Sequence, residues 1–131
     1  MIMCDMDANG IMSETMHNRT LGEIVKAYQK LIKRLHLSDI TTKKYILDNE
    51  CSAEFKQAII DNGMQYKLVP TGQHRCNIAE KAIQTWKVHA VGVFLGMSHK
   101  SPLSIWDLML PHIDMQVNLL RQANAAPKVS A

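Results

Sequence analysis

The sequence predicts an α/β domain in which helices flank a mixed β-sheet, and three observations support this class. Asn9-Gly10 is a strong hairpin signal between two apolar runs. Apolar residues then recur at helical spacing from Leu21 to Leu37. After this helix, short strand-like runs alternate with helical ones, which is the pattern of β-α-β units. A hairpin followed by such units implies a sheet with both antiparallel and parallel pairs.

The first three elements follow from local signals. The apolar runs at residues 1–6 and 11–16 are the two strands of the hairpin. Thr20 and Glu23 have the spacing of a capping box, which predicts that a helix begins there and continues to about Leu37. Its apolar face comprises Leu21, Ile24, Val25, Tyr28, Leu31, Ile32 and Leu35.

Turn and capping residues also delimit the later elements. A strand over 43–48 ends at Asp48, and Ser52 caps a short helix that Asn62-Gly63 terminates. A further strand stops at Pro70, and a long helix runs from about Asn77 to Leu95. The last helix is expected to open near Ser101-Pro102 and to bend at Pro111. Its predicted core stripe comprises Leu103, Trp106, Leu110, Ile113, Val117 and Leu120.

Composition narrows the class of protein without naming a function. The 131 residues suffice for one domain, expected over 1–123 with a flexible tail at 124–131. No apolar run is long enough to span a bilayer and no signal peptide is evident, so we expect an intracellular protein with no membrane partner. The three scattered cysteines predict reduced thiols rather than disulfides. The net charge of +3 permits a polyanionic partner.

Two carboxylates are candidate metal ligands. Asp48 follows a strand, at the end where α/β sheets place their sites, and Glu80 lies in the first turn of the long helix. Oxygen ligands of this kind favour Mg²⁺ or Mn²⁺, which can support phosphoryl transfer. Each acid also has an ordinary explanation, because Asp is common in turns and Glu is favoured near helix N-termini.

The long helix also has a basic surface. Glu80 is the only acid between Asn62 and Lys100, a stretch that contains five basic residues. Gln84 and Lys87 share one helix face with Glu80. A lysine at this position can contact a phosphate while the carboxylate binds a metal ion, so the face is a candidate nucleic-acid contact.

Residues 47–87, LDNECSAEFKQAIIDNGMQYKLVPTGQHRCNIAEKAIQTWK, resemble the integrase core of copia-type LTR retrotransposons. The matching features, in order, are Asp48-Asn49 closing a strand, Pro70 ending another, and the sequence Asn77-Ile78-Ala79-Glu80 opening a helix. The segments TLGEIVKAYQKL and WDLMLPHIDMQVNLL resemble flanking elements of the same family. The resemblance implies an RNase H-like fold and a DDE-type catalytic site.

Family resemblance also assigns roles to individual residues. Asp48 and Glu80 would be the second and third catalytic acids and would bind Mg²⁺ or Mn²⁺. Lys87 would be the DNA contact on this helix. Gln84, on the same helix face, and the basic residues Arg75 and Lys81 are further candidate nucleic-acid contacts. Integrases of this kind act on DNA as multimers in the nucleus, so DNA and a homo-oligomer are the expected partners.

Two departures from the family pattern change the expected activity. The interval between Asp48 and Glu80 is somewhat shorter than usual, which loop variation tolerates. More importantly, the first catalytic Asp belongs to a central strand that precedes the hairpin in the family. Asp5 and Asp7 instead resemble acids near the hairpin turn. We therefore expect a truncated or decayed integrase core that lacks the central strand and is catalytically inactive.

Alternatives remain open at this point. The chain is an incomplete integrase core, a non-catalytic nucleic-acid-binding or oligomerisation module, or a fragment that does not fold stably. A zinc site formed by His74, Cys76 and His89 would lack a fourth ligand. Cys51 has no neighbour that would activate its thiol as a nucleophile. Trp86 and Trp106 are expected to be packed. A basic face on the first helix, comprising Lys30, Lys33, Arg34 and His36, is either solvated or a phosphate contact.

Overall fold

The computed structural model describes residues 1–47, 51–69, 78–126 and 128. Its elements are β1 (Ile2–Cys4), β2 (Ile11–Ser13), α1 (Leu21–Leu37), β3 (Lys44–Leu47), α2 (Ala53–Asp61), β4 (Gln65–Leu68), α3 (Ile78–Leu95), a 3₁₀ turn (Leu103–Ile105) and α4 (Leu110–Leu119). This order confirms the predicted succession of strands and helices, and the protein is a mixed α/β protein. None of the helices in these ranges is long and apolar enough to cross a membrane.

The chain divides into two compact units. The parallel-strand unit contains Met1 and Glu14–Asn77, and the hairpin unit contains Ile2–Ser13 and Ile78–Ala131. Among the described strands, β1 pairs only with β2 and β3 pairs only with β4, so there are two small sheets. One mixed sheet was expected, but the antiparallel and parallel pairs belong to different sheets.

The parallel-strand unit is a β-α-β arrangement supported by α1 and α2. β3 and β4 pair in parallel from Lys44–Gln65 to Leu47–Leu68. Tyr28 of α1 is fully buried, and its ring meets those of Tyr45 and Phe55 nearly edge-on, at centroid distances of 5.5 and 5.2 Å. Such edge-to-face contacts are favourable beyond the area that they bury. This aromatic cluster, Tyr28, Tyr45 and Phe55, joins β3 to both helices.

The helix ends of this unit are partly as predicted. Ser52 caps α2 by accepting a hydrogen bond from the N–H of Phe55, and Gly63 follows α2 with a φ of 73°. Thr20 is the N-cap residue of α1, but its side chain caps no helical N–H. The Thr20 hydroxyl instead donates to Asn18, and Glu23 accepts from Lys26 and from the N–H of His17. The predicted capping box is therefore wrong, although the helix boundary is right.

The hairpin unit begins with two antiparallel strands that residues 5–10 join. β1 pairs with β2 through Ile2–Ser13, Met3–Met12 and Cys4–Ile11. Asn9 has a φ of 57°, the left-handed conformation that the Asn-Gly signal predicts. A side-chain oxygen of Asp5 accepts hydrogen bonds from the N–H groups of Asp7 and Ala8, which closes the turn. This explains Asp5 as a turn residue.

Side chains of α4 occupy the outer edge of β2. The amide of Asn118 accepts from the N–H of Ile11 and donates to its carbonyl, both at 2.8 Å. Asp114 accepts from the N–H and hydroxyl of Ser13 at 2.8 and 2.7 Å, and from the indole N–H of Trp86 at 2.8 Å. Asp114 is only 3% exposed. These side chains make the hydrogen bonds to the edge of β2 that a neighbouring strand would make.

The last helix begins later than predicted. Pro111 lies in the first turn of α4, where a missing N–H costs nothing, and it therefore starts the helix instead of bending it. Leu110, Ile113 and Val117 are buried as expected. Trp106 and Leu120 are 49% and 78% exposed, so their assignment to the core is wrong. Both residues lie beyond the ends of the shorter helix.

Residues after α4 contact the hairpin turn. The Asn124 amide donates to the carbonyl of Met6, and the N–H of Ala125 donates to that of Asp7. The guanidinium of Arg121 donates to the backbone and the side chain of Asn9. The first residues of the expected tail thus have hydrogen-bond partners at the turn.

Candidate functional site

Of the two predicted metal-binding carboxylates, only Glu80 lies within the described residues. Glu80 lies in the first turn of α3 and is exposed, as the sequence predicts. Asp48 follows β3 directly but lies outside the described residues. Within the described ranges, no group of three or more His, Cys, Asp or Glu side chains is positioned to hold a metal ion. The assignment of Mg²⁺ or Mn²⁺ to Asp48 and Glu80 therefore stays a prediction.

The N-terminal half of α3 presents polar side chains on one surface. Glu80, Lys81, Gln84 and Lys87 are all exposed. The opposite side of the helix is anchored in the hairpin unit by buried Ala82 and by the bond from Trp86 to Asp114. We call these four exposed residues the α3 polar face. Arg75, the remaining predicted DNA contact, lies outside the described residues.

The two lysines of the α3 polar face are exposed. Neither Lys81 nor Lys87 has a carboxylate within ion-pair distance among the residues that the structure describes. Glu80 is the single acidic residue in α3. An ammonium group without a protein partner is free to contact a phosphate, and it displaces condensed counterions when it does so.

Two lysines of α1, Lys26 and Lys30, differ in this respect. Lys26 pairs with Glu23 at 3.1 Å, and Lys30 pairs with Glu14 at 2.9 Å. Both lysine side chains remain exposed, but their charges are already partly balanced. A phosphate would have to compete with these carboxylates. Lys33 of the same helix is exposed and has no ion pair among the described residues, so α1 presents one such lysine and α3 presents two, which makes α3 the better candidate for an anionic partner.

The alternative metal and nucleophile assignments gain no support from the described residues. The ring of His89 contacts the side chain of Gln116 at 3.3 Å, and Gln116 contacts His112 at 2.8 Å. This chain accounts for His89 as a helix-to-helix contact, whereas His74 and Cys76 lie outside the described residues. Burial raises the pKa of the Cys51 thiol, which disfavours the reactive thiolate.

The second half of α3 carries an apolar surface that the sequence reading missed. Val88, Val91 and Leu95 are 70%, 54% and 80% exposed, at helical spacing. Beside them lies a shallow groove of about 480 Å³ between α3 and α4, lined by residues that include His89, Gly92 and Gln116. The signal was present in the sequence, because His89 is the single polar side chain in residues 88–95, so apolar residues fall on most of the helix surface.

Two observations thus define the candidate site: an exposed polar face whose two lysines have no carboxylate partner among the described residues, and a single acid in the first turn of the same helix. Trp86 is half-buried and bonded to Asp114, so it is not a platform for base stacking. Trp106 is partly exposed, in contrast to the expectation.

Compared with models of known protein families and with curated proteins, the chain matches none.

Proposed function

We propose that this chain is a nucleic-acid-binding module of the integrase type that contacts DNA through the α3 polar face. The observation that carries the proposal is the exposure of Lys81, Gln84 and Lys87 without neutralising partners among the described residues. Lysines supply charge to the phosphates, and Gln84 can donate to a phosphate or a base edge.

Support for an RNase H-like origin comes from the order and pairing of the elements. An antiparallel hairpin precedes a parallel β-α-β unit, and a helix with an acid in its first turn follows. The family resemblance implies this succession, with a central strand joining the two sheets. In the intact family, Asp48 and Glu80 would share Mg²⁺ or Mn²⁺ with a further Asp from that strand. We propose no catalytic step for this chain, because the described residues supply a single member of that set.

The lysines of α3 are tested by a matched pair of double variants. Replacing Lys81 and Lys87 with Gln should weaken binding to a DNA duplex by about tenfold, because two phosphate contacts are lost. The slope of log K against log salt should fall by about two. Fluorescence anisotropy of labelled DNA at several salt concentrations measures both quantities.

The control is the double replacement of Lys26 and Lys30 with Gln in α1. It removes the same net charge, but from lysines that already have carboxylate partners. We expect a small change in affinity. Equal weakening by both pairs would mean that only net charge matters, and the proposal of an α3 site would fail.

Glu80 gives a second test of the same surface. Without divalent cations, its carboxylate should repel DNA phosphates, so Glu80→Gln should tighten binding severalfold. If Glu80 binds a cation as the resemblance implies, Mg²⁺ should tighten binding by the unmodified chain and abolish its difference from the variant. Anisotropy titrations with and without Mg²⁺ distinguish the two roles. A variant that binds like the unmodified chain under both conditions would exclude Glu80 from the interface.

A further inference from the structure

The apolar half of α3 forms one border of the groove between α3 and α4. Val88, Val91 and Leu95 recur at helical spacing and are largely exposed, and Val88 also lines the groove. On the other side of the groove, Gln116 of α4 contacts His89 at 3.3 Å. Neighbouring exposed apolar residues with polar residues at their edge are typical of a site where another molecule binds.

The floor of the groove has no side chain at its centre. Gly92 lies inside α3 and is exposed in the groove. A Cβ placed on it would meet no described atom within 4 Å other than the adjoining backbone of its own helix. Its φ is not positive, so the backbone conformation does not require glycine. Because the distance between packed helices depends on the side chains at their contact, a bare floor lets a further helix approach α3 closely.

The charges that follow α3 on both sides of the apolar residues are positive. Lys87 immediately precedes the first of them, and Lys100 follows the end of the helix; both are exposed. Residues 81–106 contain no acid. The single acid of α4, Asp114, is buried and accepts a hydrogen bond from Trp86. The groove therefore combines an apolar border with basic ends, and its electrostatic complement is an apolar surface with acidic residues around it.

We propose that the groove between α3 and α4 binds an amphipathic helix of another protein, one whose apolar stripe is flanked by acidic residues. The apolar side chains of that helix pack beside Val88 and Leu95 and over Gly92. Its acidic residues meet the basic side chains beyond the two ends of the stripe. This is recognition of a helix in a groove, in which apolar anchors supply affinity and the charges select the partner.

Three other occupants fit the groove less well. In a second copy of this chain, a two-fold interface would use the same patch twice and bring Lys87 of one copy towards Lys100 of the other, which opposes like charges. A membrane surface contacts protruding side chains and does not reach the floor at Gly92. A small molecule is usually enclosed by its site, whereas this groove is shallow.

Selection from a library of helical peptides tests the proposal on the whole chain. The displayed helices share apolar residues at helical spacing, and each flanking position can be acidic, basic or neutral. We expect the selected helices to carry Glu or Asp at the flanking positions. The tightest of them, labelled with a fluorophore, is the probe, and replacing its acids with lysine should weaken binding about tenfold or more. A failure to select any helix, or selection of basic or neutral flanks, would overturn the proposal.

Two matched pairs of variants locate the bound probe. Gly92→Leu fills the floor and should weaken binding about tenfold or more, although it raises the melting temperature by removing a helical glycine. Gly22→Leu is the control, because Gly22 lies in α1 and a Cβ there also meets nothing within 4 Å. Leu95→Ser should likewise weaken binding, whereas Leu37→Ser should not; these leucines are 80% and 77% exposed. Unchanged binding by both groove variants, or equal weakening by their controls, would contradict a site in the groove.

Vesicles of phosphatidylcholine and phosphatidylserine, and sedimentation of the chain alone, test the other occupants. We expect Leu95→Ser to change neither vesicle binding nor the state of association. If it abolishes vesicle binding or self-association instead, the occupant is a membrane or a second copy, and the proposal fails. Lys87 belongs also to the α3 polar face, so it stays unchanged in every variant. None of these assays contains nucleic acid, so their failure is distinguishable from failure of DNA binding.

Discussion

Replacing Asp114 with alanine is expected to lower the free energy of unfolding of the hairpin unit by about 3–5 kcal/mol. The carboxylate accepts hydrogen bonds from the Ser13 N–H, the Ser13 hydroxyl and the Trp86 indole N–H. Asp114 and Ser13 are each 3% exposed, so water cannot readily replace the lost acceptor. Buried donors without partners are costly, and here they belong to β2 and α3.

Because of the distribution of aromatic residues, the stability of the hairpin unit can be measured in the whole chain. Trp86 and Trp106 belong to the hairpin unit, whereas all three tyrosines belong to the parallel-strand unit. Tryptophan fluorescence during denaturant unfolding therefore reports on the unit that contains Asp114. Asp107→Ala is the matched control, because Asp107 is exposed and accepts from the N–H of the neighbouring Leu108. It should cost less than about 0.5 kcal/mol.

Asp114→Asn distinguishes hydrogen bonding from simple packing. Asparagine keeps the shape but replaces one oxygen with a donor, which must then face either the Ser13 N–H or the Trp86 N–H. We expect it to destabilise the unit by more than about 1 kcal/mol despite its near-identical volume. A loss of stability below this value for both substitutions at position 114 would show that the network contributes little.

Local signals explain why the elements were predictable. Asn9, Ser52 and Gly63 each act within a few residues of their own position, through a left-handed turn, a cap and a helix end. The N-cap position of Thr20 was also predictable, but its hydrogen-bond partner was not. Asn18 and Lys26 compete for the two side chains of the expected capping box, and sequence spacing does not rank such competitors.

The two errors in the last helix have one physical cause. The apolar spacing from Leu103 to Leu120 predicts a single helix, in which Pro111 would be a kink. Proline instead defines the first turn, and the helix is shorter than the apolar pattern. Asp114 gave a clue, since it is an acid between the buried positions Ile113 and Val117. An acid inside an apolar stripe indicates a buried acceptor, and its donors come from distant elements.

The candidate site is likewise only partly predictable from the sequence. Exposure of the α3 polar face follows from helix periodicity, because Ala82 and Trp86 occupy the other side. A shared metal site of Asp48 and Glu80 would depend on the arrangement of segments that are distant in the sequence. Spacing alone does not determine this arrangement. Among the described residues, Lys26 and Lys30 have carboxylate partners and Lys81 and Lys87 have none, a difference that likewise emerges only from three-dimensional contacts.

Replacing Tyr28 with alanine is expected to destabilise the parallel-strand unit by about 3–5 kcal/mol. Tyr28 is fully buried, and removing its ring leaves a cavity beside Tyr45 and Phe55. Burial also raises the pKa of Tyr28 to about 12, as expected for a phenol without a charged partner. Its hydroxyl contacts the sulfur of Met64 at 3.8 Å, a weak bond, so Tyr28→Phe should cost less than about 1 kcal/mol. The ring, rather than the hydroxyl, is thus expected to stabilise this unit.

Amide hydrogen exchange can measure this effect within the unit. The N–H of Val69 donates to the carbonyl of Leu47 at 2.9 Å, and its protection reports on the pairing of β3 with β4. Tyr28→Ala should reduce this protection strongly, whereas the control Tyr66→Ala should change it little because Tyr66 is 37% exposed. Equal losses for the two alanine variants would contradict the central role of the aromatic cluster. If Tyr28→Phe were as damaging as Tyr28→Ala, the bond to Met64 rather than ring packing would hold the helix to the strands.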